Sequence, residues 1–175
     1  MITVLRRALL ALAAIVLPLS ALAADPVDGP KARFDDPFIS RLEGRWDILR
    51  RIRGTEVRNT LVASWALNHQ FLQLHMKDVK DPPAYEAIVL IGYVHATKEY
   101  VAHWTDTFGG KFSAVGRGKR EGDAIAFRFE YPDGPFFNTF EWDAARQGWT
   151  FRLETQDAKG ERRLFALDTA TRAVP

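Results

Sequence analysis

Ile125-Ala126-Phe127-Arg128-Phe129-Glu130-Tyr131, then Pro132-Asp133-Gly134-Pro135, then Phe136, Asn138, Phe140 and Trp142, is the stretch that decides the fold class of this chain. Apolar residues alternate with Ala126, Arg128 and Glu130 at a period of two. That is the pattern of a strand with one face in a core and the other in water. The Pro-Asp-Gly-Pro segment supplies turn chemistry, and a second alternating run follows it. Two such runs joined by a tight turn read as an antiparallel pair.

The same reading extends in both directions. Downstream, Gln147-Gly148 turns the chain into Trp149, Phe151 and Leu153, which alternate with Thr150, Arg152 and Glu154; Ala158-Lys159-Gly160 then leads to Phe165 and Leu167. Upstream, Phe112 to Gly116 is a small-residue strand that turns at Glu121-Gly122-Asp123, and Phe108-Gly109-Gly110-Lys111 is a hairpin signal. Before it come Tyr100, Ala102 and Trp104, the run Tyr85 to Tyr93, and Leu72, Leu74 and Met76. Leu61, Ala63, Trp65 and Leu67 form one face of the next run, and Trp46, Ile48 and Ile52 belong to the first, which turns at Arg53-Gly54. About ten short strands without a long helix predict an all-β domain. Its economical form is a single closed or nearly closed antiparallel up-and-down barrel of about 8–10 strands over residues 37–170, since closure removes exposed sheet edges. Asp36-Pro37 reads as an N-cap and first helical position, and Phe38, Ile39 and Leu42 would share one face of a short N-terminal helix that plugs one end. The run at 87–91 is apolar on both faces, with Ala87, Val89 and Ile91 on one and Ile88 and Leu90 on the other. Such a strand implies an outer cover, either the N-terminal segment or a second copy in a homodimer.

What precedes the strands reads as a targeting segment. Arg6-Arg7, the apolar stretch Ala8 to Leu17 and the small residues of Ala21-Leu22-Ala23 make a secretory signal peptide over residues 1–23. Residues 24–36, with Pro26, Gly29 and Pro30, read as a flexible leader. Removing 23 of 175 residues takes away two arginines and no acid, which leaves 152 residues with 22 basic and 22 acidic side chains. That balance gives no electrostatic case for nucleic acid or an anionic membrane. The expected location is the periplasm or the medium, with no stable membrane insertion after cleavage. The chain contains no cysteine, so neither a disulfide framework nor a lipidated N-terminal Cys is available to it.

Leu42-Glu43-Gly44-Arg45-Trp46 carries a G-x-W at the start of the first strand. It is followed by Trp65, Phe71-Leu72, Tyr85, Ile91-Gly92-Tyr93, Tyr100, Trp104-x-Asp106 and Gly109-Gly110. This series resembles an exported bacterial lipocalin-like (calycin-type) family classed as a domain of unknown function, over about residues 40–167. The chain departs from that pattern at Val94, where an Asp is usual, and at Thr107, where a Ser is common. The resemblance implies a calycin-type barrel whose G-x-W Trp closes one end. It implies no activity.

The chemistry-bearing residues are few. None of the four histidines (His69, His75, His95, His103) stands in H-E-x-x-H or at a metal-pair spacing, so no metal site is expected. His103 faces outward if Tyr100, Ala102 and Trp104 face inward; in the reverse register it enters the interior as a general base or haem ligand, with His75 as the other haem candidate. Ser40, Ser64 and Ser113 lack a nucleophile-elbow context. Gly116-Arg117-Gly118-Lys119-Arg120 lacks phosphate-loop spacing. Asp106 is expected to accept backbone N–H groups at the Thr107–Gly110 turn, and with His103 it is the candidate catalytic pair of an isomerase or hydrolase. Arg50, Arg51, Arg53 and Arg58 read as a solvated rim. The leading expectation is a binding protein that holds a small hydrophobic or amphipathic molecule without a cofactor. Its candidate contacts are Trp46, Trp65, Tyr100, Trp104, Phe127 and Phe140, with Asn138 as polar anchor. A solid barrel that works through its surface is the remaining alternative.

Overall fold

The structure is a computed structural model that describes residues 33–174. The expected signal peptide over 1–23 and most of the expected leader lie outside the described residues. Eleven strands run in chain order: β1 (Gly44–Ile52), β2 (Thr55–Ala66), β3 (Phe71–Asp78), β4 (Glu86–Val94), β5 (Glu99–Asp106), β6 (Ala114–Gly118), β7 (Arg120–Glu121), β8 (Ala124–Tyr131), β9 (Gly134–Asp143), β10 (Gly148–Gln156) and β11 (Arg162–Arg172). Each pairs antiparallel with its sequence neighbour, except that β6 and β7 both pair with β8. They are two pieces of one stave interrupted at Lys119. β1 pairs with β11 from Trp46↔Arg172 to Ile52↔Ala166, which closes the sheet into a ten-staved up-and-down barrel. The expected fold class is therefore present.

Close approach at the β6–β8 seam requires glycine. A Cβ on Gly118 would lie 2.4 Å from the Ala126 carbonyl oxygen, and one on Gly116 would lie 2.5 Å from the Phe129 ring. The inner face then fills in the alternation of the sequence. Ile48, Leu61, Leu74, Val89, Ala102, Phe127, Phe140, Phe151 and Ala170 are all buried. Leu67 departs from the expected face: it lies in the β2–β3 turn at φ 51° and is exposed, because β2 ends at Ala66.

One end of the barrel is capped. The expected helix is a single 3₁₀ turn, Ile39–Leu42, entered through Asp36, whose Oδ1 accepts the Phe38 N–H at 2.7 Å. Four residues are too few for an α-helix, but Phe38, Ile39 and Leu42 are buried and close that end. Phe34, placed in the leader by the sequence, is buried as well. Its ring stacks on Tyr93 at 5.5 Å and meets Trp65 edge-on, and its N–H donates to the His69 carbonyl at 3.0 Å. Packing thus begins before residue 37.

The G-x-W corner has a physical reason. Trp46 Nε1 donates to the Leu42 carbonyl at 2.6 Å, and the Arg172 guanidinium lies 4.0 Å from the Trp46 ring. Arg172 also donates to the Glu43 and Arg41 carbonyls, so the last strand ties down the turn. Gly44 sits at φ +114°, and a Cβ there would meet Arg172 Nη1 at 2.5 Å.

The outer face of β4 carries the expected apolar row. Ile88 is 44% exposed, and Val62 and Val115 are exposed nearby. The described N-terminal segment packs at the barrel end and leaves this row uncovered.

Candidate functional site

Among the described residues, the buried polar ones other than glycine are Arg50, Asn59, Asp78, Asn138 and Asp168, all on the inner face toward the end opposite the cap. β1 delivers Arg50 by continuing the alternation of Trp46 and Ile48, and β11 delivers Asp168 between Ala166 and Ala170. The two are cross-strand partners. Arg50 Nε donates to Asp168 Oδ1 at 2.8 Å and Nη2 to Oδ2 at 2.6 Å, a two-point ion pair shut off from water. Nη2 also contacts the Met76 sulfur at 3.5 Å, and the guanidinium lies 5.1 Å from the Tyr85 ring. Burial works against the Arg50 charge, but Asp168 outweighs it and raises the Arg50 pKa. The solvated-rim reading therefore fails for Arg50, while Arg51, Arg53 and Arg58 are exposed as expected.

Tyr85 and Asp106 border this cluster. Asp106 Oδ2 accepts from Trp104 Nε1 at 3.2 Å and from the Tyr85 hydroxyl at 3.4 Å. Asp106 Oδ1 accepts the Phe108 N–H at 2.9 Å, the turn-capping role expected from sequence. Burial pushes the Tyr85 pKa up; Arg50 opposes this and Asp106 adds to it. Tyr131 is pushed up to about 12 by burial and then by Asp106. An arc of rings continues from Tyr85 through Phe108, Phe112, Tyr131 and Phe136 to Phe165, each 5.6 to 6.2 Å from the next. Phe108 is 68% exposed at the tip of the β5–β6 loop. The uncapped end thus has an aromatic rim above a charged floor.

Below the Arg50–Asp168 pair lies a central space lined by Leu74, Met76, Val89, Trp104, Asn138, Phe140, Phe151 and Asp168. Its volume is about 10 Å³, roughly the room one water needs. Asn138 is 2% exposed, and its Oδ1 has no hydrogen-bond partner. Asn59 is buried to the same degree, with both amide atoms unpartnered.

Of the seven expected ligand contacts, Trp104, Asn138 and Phe140 converge on this space. Phe127 is buried beside it, 5.3 Å from Phe140. Trp46, Trp65 and Tyr100 lie at the capped end instead. Trp46 is held by Leu42 and Arg172, Trp65 lies between Phe34 and His69, and the Tyr100 hydroxyl donates to Asp36. These three are closures of the barrel rather than a lining of the central space.

His103 is exposed on the outer face, its ring 5.9 Å from Phe71, so the register that faces Tyr100, Ala102 and Trp104 inward is the one adopted. Asp106 has the opposite parity on β5 and points toward Tyr85 and Trp104. The candidate catalytic pair therefore sits on two faces of one wall. His75 Nε2 pairs with Glu86 Oε1 at 2.5 Å, with both side chains about two-fifths exposed. His103 and His75, the two haem candidates, both lie on outward-facing strand positions and are not among the residues that line the central space. Among the described residues no cluster of three or more His, Cys, Asp or Glu could hold a metal ion.

No family model matches the chain, and none of the curated proteins matches it. Among solved structures, the chain is similar to the crystal structure of Rv2717c from M. tuberculosis. The TM-score is 0.56 at 13% identity, with 79% of this chain and 99% of that chain covered. The likeness is one of fold.

Proposed function

We propose that the mature chain is an exported binding protein of the lipocalin-like kind, which takes a small hydrophobic or amphipathic molecule into the barrel from the uncapped end. The observation that carries this reading is the polar set buried among the aromatics of that half. A buried ion pair is a poor source of stability, because desolvation offsets its attraction. An amide oxygen without a partner is a further cost. A barrel that only needed to fold would be served better by apolar residues at 50, 138 and 168. A few placed polar groups in an aromatic surround are, in contrast, the usual composition of a ligand site.

The central space admits no guest larger than a water as it stands, so binding requires side chains to move. Met76 can do so at low cost, since it is unbranched and fills space adaptably. At the rim Phe108 is exposed, and Phe112, Tyr131, Phe136 and Phe165 are half-buried. Export is supported by the signal-like composition of residues 1–23, and the lipocalin-like assignment by the G-x-W corner closed by Arg172.

Intrinsic fluorescence tests the reading. Trp104 lines the central space, so saturable binding of an apolar probe should change the emission. A folded protein whose emission is unmoved by a broad panel of apolar and amphipathic probes would contradict it.

A further inference from the structure

The polar atoms around the central space are unevenly matched. Its charged donor, Arg50, gives Nε and Nη2 to Asp168, and Nη2 also meets the Met76 sulfur. The Trp104 indole N–H is engaged with Asp106. The acceptors are not exhausted: Asn138 Oδ1 has no partner, and Asp168 forms part of the wall. The same half of the barrel holds three carboxylates, Asp78, Asp106 and Asp168, against one interior guanidinium. An entering anion would compete with Asp168 for that one guanidinium and stand among three carboxylates, which disfavours it. An entering donor completes what is missing.

We infer that the ligand presents a hydrogen-bond donor, an amine, alcohol or amide, to Asn138 and Asp168, and that a carboxylate head group is disfavoured. The inference rests on the binding reading above and narrows it to a ligand class. Two cations stand on the rim outside the floor, Arg53 at 5.5 Å from the Phe165 ring and Lys111 at 4.9 Å from the Phe112 ring.

The test is a series with one alkyl chain and four heads: octylamine, octanol, octyl methyl ether and octanoate, each below its micellar concentration. Binding is read by calorimetry and tryptophan emission. Octanol and octylamine should bind about tenfold or more tighter than octanoate, and octanol about tenfold tighter than its methyl ether, the scale of one hydrogen bond. Asn138→Leu should erase the octanol-over-ether preference. That variant also removes an unpartnered polar group, so an unchanged or raised Tm is expected to confirm that it folds. Octanoate binding tightest, with loss on Arg53→Ala, would overturn the donor assignment while leaving the binding reading in place. Preservation of the octanol-over-ether preference in Asn138→Leu would overturn it as well. If none of the four binds, the binding reading itself fails and this inference falls with it.

Discussion

Arg50 and Asp168 show how much one residue pair can decide in this interior. Removing one partner leaves the other charged and unpaired at a site with almost no access to water. Asp168→Ala is therefore expected to cost about 3–5 kcal/mol, read as a fall in the urea midpoint. Replacing both at once, Arg50→Met with Asp168→Leu, is expected to be neutral or stabilising. A double replacement as unstable as the single one would mean that the pair holds the barrel together. Gly116 gives a second test. The Phe129 ring occupies the position of its absent Cβ, so Gly116→Ala should overpack the seam and cost about 1–3 kcal/mol. The inward direction of Arg50, Asn59, Asp78 and Asp168 follows from their parity with Ile48, Leu61, Met76 and Ala170. The rule of alternation was available in the sequence. The preference of charged side chains for water argued against applying it, and it is the rule that holds here.

Among the elements, the cap and the β5 wall carry the most consequence. Phe34, Phe38, Ile39 and Leu42 close one end, and Phe38 meets Trp149 at 5.2 Å. Phe38→Ala should cost about 3–5 kcal/mol, with amide exchange rising first at the ends of β2 and β4 beside the cap. Uniform exchange throughout the barrel would show that the cap is not a separate unit. The turn was legible because Asp36 and the apolar spacing of 38, 39 and 42 mark it; its 3₁₀ form was not, since spacing over so short a span does not separate the two helices. On β5, inward Tyr100, Ala102 and Trp104 place His103 outside, and this could be read from burial preference alone. β11 was harder. A bulge between Leu153 and Glu154 of β10 shifts its register, so Phe165 is the extra residue and Ala166, Asp168 and Ala170 face inward. A sequence shows the two apolar residues Phe165 and Leu167, and nothing in their spacing announces the shift.

For the whole molecule, burial of tyrosines links stability to alkaline pH. Tyr85, Tyr100 and Tyr131 all have raised pKa values in the fold, the last to about 12. Below pH 10 they are protonated in both states, and their full contribution is present. As pH rises above 10 the unfolded chain releases these protons before the folded one, so stability must fall. The urea midpoint should therefore drop between pH 10 and pH 12, and phenolate absorbance from these three should appear together with unfolding. A midpoint flat over that range would contradict the burial of the rim and cap tyrosines. The central claim, that the barrel interior opposite the cap accepts a ligand, has a single well-placed reporter. The chain has two methionines, Met1 and Met76, and Met76 lines the central space. The most direct measurement is the carbon-13 methyl NMR signal of Met76 during titration with octanol. A saturable shift of that methyl, lost or sharply weakened in Asn138→Leu, is the result predicted here. A methyl signal that stays fixed, whether octanol binds elsewhere or fails to bind at all, would contradict the account.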